Sequence, residues 1–81
     1  MEIIFSKHAT RRMALYGIQQ IDIANSIETH IKLKELVFGK NEFIDVVLKE
    51  RYKLPIKIVV DIAKHAVTVI TVYPLKKGIT R

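Results

Sequence analysis

The apolar residues of this 81-residue chain change their period once, near residue 33. Before that point they recur every three or four residues, as on a helix face. After it they alternate or run together as β-branched stretches. Helices and strands are thus segregated along the chain, which predicts an α+β fold rather than a doubly wound parallel sheet. The length suits a single domain over residues 1–81 with one core. So small a core has a thin stability margin, so the chain must pack efficiently or associate, for example as a homodimer.

Glu2 to Phe5 reads as a short strand. Ser6 suits the N-cap of a helix from Lys7 to about Tyr16, and Gly17 suits the left-handed position that closes it. Ala9, Met13 and Tyr16 form its expected core stripe; His8, Arg12 and Leu15 form the adjoining face, with Arg11 beyond. A second helix is predicted from Gln20 to about Thr29, burying Ile21, Ala24, Ile27 and Ile31. Leu33 to Phe38 reads as a strand, Gly39 to Asn41 as a turn, and Glu42 to Tyr52 as a strand stopped by Leu54-Pro55. Ile56 to Ile62 and Ala66 to Tyr73 are predicted to pair as strands around a turn at Ala63-Lys-His65. Lys76-Lys77-Gly78 reads as a mobile tail. The expected architecture is a short N-terminal strand and a two-helix hairpin on a three- to four-stranded antiparallel sheet. One sheet face is left free to bind.

The formal charge is +6, a field that draws polyanions toward so small a surface. There is no cysteine, which removes disulfides, thiolate nucleophiles and thiolate metal sites together. No apolar run reaches membrane-spanning length, and the N-terminus lacks a secretory pattern. The expectation is a soluble, cytoplasmic protein. No His-x-x-x-His pair, carboxylate cluster or phosphate-binding glycine loop points to a metal or nucleotide, so no cofactor is predicted.

The stretch from His8 to Ile18 is chemically the richest. Its imidazole titrates near neutral pH, and the arginine one turn away has the planar fork that holds phosphate. Either residue can equally serve as a packed cap or a solvated helix charge. Arg11 belongs to a diffuse basic surface. Arg51, Tyr52 and Lys53 interleave cations with an aromatic, a pattern that suits RNA but also an ordinary charged edge. Thr71 and Tyr73 share one face of the last predicted strand by its period of two.

His8-Ala9-x-x-Arg12-Met13, then Gly17-Ile18, a second helix, and strands ending Val69-Ile-Thr71-Val-Tyr73-Pro74 resemble the domain of unknown function family 4258. That family is similar in layout to the RelE and BrnT toxins of the barnase, colicin and RelE-like ribonuclease group. The resemblance implies metal-independent RNA cleavage, with His8 as base or acid and Arg12 as phosphate clamp. Thr71 and Tyr73 would line the site. It also implies RNA as the partner, ribosome-associated in some contexts, and a cognate antitoxin. This chain departs from the family where glutamate is common, at Arg11, and where arginine precedes the glycine, at Tyr16. Two other readings stand beside the toxin: a noncatalytic module binding RNA or protein, and a structural dimer with an exposed sheet.

Overall fold

A computed structural model describes residues 2–75. Strand β1 (Glu2–Phe5) leads into helix α1 (Lys7–Tyr16), followed by α2 (Gln20–Lys32). Strand β2 (Gly39–Asp45), the single turn α3 (Lys49–Tyr52), and strands β3 (Ile56–Ile62) and β4 (Ala66–Pro74) complete it. The α+β class and the first helix agree with the sequence. Ser6 caps α1 by accepting from the Ala9 N–H at 3.0 Å. Gly17, at φ 68°, lets the Ile18 N–H turn back to the Met13 carbonyl oxygen at 2.8 Å.

The four strands form one sheet in the order β1-β4-β3-β2. β2, β3 and β4 are antiparallel, but β1 runs parallel to β4, with Phe5 opposite Val69. The three antiparallel strands are as expected, whereas the N-terminal strand, expected with the helices on the sheet, joins it as a parallel edge strand. The helical excursion after β1 separates it from β4, so no hairpin constrains their relative direction. Ala9 and Met13 of α1 and Ile23 and Ile27 of α2 join Ile58, Val60, Val67 and Val69 in one buried cluster. The helices therefore cover one sheet face.

Several local expectations are corrected. The buried stripe of α2 runs through Ile23, Ser26 and Ile27, whereas Ile21 is 63% exposed; Tyr16 likewise faces largely outward. Leu33 to Phe38 is not a strand, because α2 continues to Lys32 and closes on Lys34 at φ 60°. There the Lys34 and Glu35 N–H groups return to the Ile31 and His30 carbonyl oxygens at 2.9 and 3.1 Å. A lysine fills the left-handed position where glycine would have signalled a stop.

The strand expected from Glu42 to Tyr52 ends at Asp45. The Asp45 carboxylate accepts from the Val47 and Leu48 N–H groups at 2.8 and 3.3 Å, turning the chain into α3. Gly39 to Asn41 lies inside β2 rather than forming a turn. The bend falls earlier, where the Asn41 side-chain amide pairs with the backbone of Val37. The tail from Lys76 to Gly78 lies outside the described residues.

Ile70 is an extra residue in β4: Val60 pairs with Val69, but Val59 pairs with Thr71. This bulge moves Thr71 and Tyr73 off the helix-covered face that Val67 and Val69 occupy. Ser6 binds at the same place. Its N–H donates to the Val69 carbonyl oxygen at 3.0 Å and its hydroxyl to that of Ile70 at 2.9 Å. Ser6→Ala loses the helix cap and the hydroxyl bond to Ile70, while the N–H bond to Val69 remains. It should cost about 1–2 kcal/mol in a urea unfolding measurement.

Candidate nucleic-acid interface

Helix α1 carries Lys7, His8, Arg11 and Arg12 and no acidic residue. Burial of Ala9 and Met13 turns all four of these side chains to solvent. Lys7 stands in the first turn, where its positive charge opposes the helix dipole. Helix stability alone does not account for a cation there, and a bound anion would be favoured. Arg12 forms no ion pair among the described residues. Its Nη1 reaches only the Tyr16 hydroxyl oxygen, at 3.5 Å.

Ser6 holds this basic turn at the β4 bulge, beside Thr71. The bulge and the strand register place Thr71 and Tyr73 on the open sheet face, opposite Val59 and Lys57 of β3. Lys57 Nζ lies 3.0 Å from Glu42 Oε1. The Lys57 ammonium lowers the Glu42 carboxyl pKa, and Glu42, followed by nearby Tyr73, raises that of the Lys57 ammonium. The His8–Arg12 pair lies on a helix that packs on the covered sheet face, and the Thr71–Tyr73 pair lies on the opposite face. Among the described residues, no hydrogen bond or ion pair joins one pair to the other.

Arg51, Tyr52 and Lys53 occupy α3 and its C-cap, and two of them are engaged internally. Arg51 Nε lies 3.0 Å from Asp22 Oδ2, and the Tyr52 hydroxyl donates to the same oxygen. That hydroxyl also accepts from the Gln19 N–H at 2.9 Å, while the ring packs against the core. The three groups clasp α3 to the start of α2. Exposed Lys53 adopts φ 69° to close α3.

Burial, and then the bond to Asp22, raises the Tyr52 pKa above the ordinary value of about 10. The fold thus holds the phenolic proton where the unfolded chain releases it. Stability from this clasp is complete below pH about 10 and declines as pH rises through the raised value. Tyr52→Phe should remove that alkaline dependence and cost about 1 kcal/mol at neutral pH, read by denaturation at several pH values.

Sequence reasoning missed a second polar cluster. Buried Ser26 donates to buried Asp45 across the α2–β2 interface. The His30 Nδ1 lies 2.7 Å from the Ser26 carbonyl oxygen, so Nδ1 carries the hydrogen. His30 Nε2 is 3.7 Å from Glu35 Oε1, and its ring lies 4.3 Å from that of Phe43. These groups edge a groove of about 390 Å³ whose wall continues through Ile44, Val46 and Val47. The helical spacing of Ser26 and His30 was visible in the sequence, but nothing local linked either to Asp45. Among the described residues, no three His, Asp or Glu side chains gather to hold a metal, and no helix is long and apolar enough to cross a membrane.

A small α+β domain with an unpaired basic helix anchored at a sheet bulge is the class that this geometry defines. The chain belongs to the family described as Domain of unknown function (DUF4258), whose model matches residues 5–74. No curated protein and no solved structure matches the chain.

Proposed function

We propose that this protein is a toxin-like, metal-independent endoribonuclease of the RelE/BrnT type, acting in a toxin–antitoxin pair. The observation that carries this reading is the Ser6 tether. It ties the start of α1, two residues before His8, to the bulge beyond which Thr71 and Tyr73 turn to the open face. In the reaction, a base removes the proton from a ribose 2′-hydroxyl and the 2′-oxygen attacks phosphorus. The bond to the 5′-oxygen breaks, and an acid protonates that oxygen. The products are a 2′,3′-cyclic phosphate and a free 5′-hydroxyl. This chemistry needs no metal.

His8 is assigned the proton transfer and Arg12 the charge of the crowded phosphate. Thr71 and Tyr73 are assigned contacts to the substrate, and Arg11 adds attraction along the backbone. An antitoxin with an acidic segment would cover the same surface. The test incubates purified protein with single-stranded RNA in chelator and, separately, with translating ribosomes in their magnesium buffer. New 2′,3′-cyclic phosphate ends are expected.

A noncatalytic RNA- or protein-binding module is the second reading. The absence of a bond between the two residue pairs favours it, as does the engagement of Arg51 and Tyr52 with Asp22. It predicts salt-sensitive RNA binding with no cleavage in either assay.

A further inference from the structure

We infer that β2 is a homodimer interface, where two copies of the chain pair antiparallel about a two-fold axis at Asn41. This is independent of the ribonuclease reading. β2 is the outermost strand of the sheet, and its seven residues leave one side without a strand neighbour among the described residues. Such an edge is normally blunted by proline, a bulge or several charges. β2 has no proline and its pairing with β3 is continuous, and its two exposed charges, Lys40 and Glu42, are opposite in sign and so do not repel a second copy, while Asp45 is buried. Both ends are strongly apolar at the surface: Phe38 is 74% exposed before the strand, and Val46 is 65% exposed after it.

Self-complementarity identifies a second copy as the occupant. With Asn41 opposite its own equivalent, Lys40 faces the partner's Glu42, and the bend at Phe38 lies at the end of β2 that meets the partner's Ile44. Symmetry repeats each pair. Gly39 then lies opposite the partner's Phe43. A Cβ at Gly39 would meet nothing within 4 Å, so an aromatic ring can cover the glycine backbone. Moving the axis by one residue would set Lys40 against Lys40 or Glu42 against Glu42, and directly opposed like charges destabilise a strand pair. The apolar grooves at the two ends of β2 fit the same arrangement. One is walled by Ile44 and Val46, the other by Leu36 to Phe38, and the two-fold brings one end of a copy to the other end of its mate. The result is one continuous eight-stranded sheet, twice the four strands of a single copy.

The full chain is tested by sedimentation equilibrium over a wide concentration range, and a dimer is expected. Lys40 is well exposed, and Lys40→Glu sets two carboxylate pairs face to face across the interface; because it also opposes Asp61 within each copy, urea unfolding is measured beside it to separate lost folding from lost association. It should raise the dimer dissociation constant about tenfold. The chain lacks cysteine, and opposed antiparallel positions lie within disulfide reach. Mild oxidation of Asn41→Cys should therefore give a covalent dimer, whereas Lys64→Cys in the β3–β4 turn should not. A monomer at every concentration overturns the inference. So does a dimer indifferent to Lys40→Glu, or equal cross-linking of the two cysteine variants.

Discussion

His8→Ala is expected to slow RNA cleavage by about 10²–10⁴-fold, the usual contribution of a positioned acid or base. Its melting temperature should barely move. His8 is exposed and makes no ion pair among the described residues, and such surface changes stay within about 0.5 kcal/mol. Arg12→Ala should lose about 10²–10³-fold, as when one stabiliser of transition-state charge is removed. Arg12→Lys should recover only part of this, because a point charge lacks the planar fork. The double variant should fall short of the product of the single losses if, as proposed, both residues act on one phosphate. Single-turnover cleavage of an end-labelled RNA reads all four. Unchanged cleavage in the double variant would end the catalytic assignment. RNA binding retained by a His8→Ala variant, with a wild type that never cuts, would favour the noncatalytic module.

Asp45→Ala is expected to lower the unfolding free energy by about 3 kcal/mol, a large fraction of what a small domain possesses. The carboxylate is 8% exposed and serves three donors: the Ser26 hydroxyl and the N–H groups of Val47 and Leu48. Alanine leaves a buried hydroxyl without its acceptor and removes the turn that starts α3. Because α3 carries Arg51 and Tyr52, the clasp on Asp22 should loosen as well. Asp45→Asn should cost about 1 kcal/mol, since its carbonyl still accepts from the backbone and its amide can donate to Ser26. Urea unfolding of the three proteins checks this ordering. A loss below about 0.5 kcal/mol for Asp45→Ala would show that the turn forms without the carboxylate.

The parts of the fold that were legible are those specified by neighbouring residues. Ser6, the Ala9–Met13 stripe and Gly17 mark α1 within one short segment. The β-branched runs of β3 and β4 flank a turn closed by the Ala63 N–H on the Ala66 carbonyl oxygen at 2.8 Å. The family was legible from His8, Arg12 and the β4 ending. The end of α2 was not, because Lys34 occupies a position usually advertised by glycine. Nor was α3, whose start depends on a carboxylate satisfied jointly by local N–H groups and by Ser26 from another helix. In the candidate site, the exposed basic helix was readable. The internal engagement of Arg51 and Tyr52 was not, because Asp22 lies on a separate element and neither propensity nor charge pattern encodes the approach.

By itself, the amino-acid sequence determined the α+β class, the boundaries of α1 and the uncompensated positive charge on that helix. These follow from short-range periodicity, capping and residue type. Only the tertiary structure decided that β1 runs parallel to β4, that Asp45 is shared between two elements, and that Ile70 is an extra residue in its strand. The physical reason is register. A single inserted residue transfers every later side chain to the other sheet face. That insertion is defined by the pairing of Val59 with Thr71 across the hairpin, not by the composition of either strand.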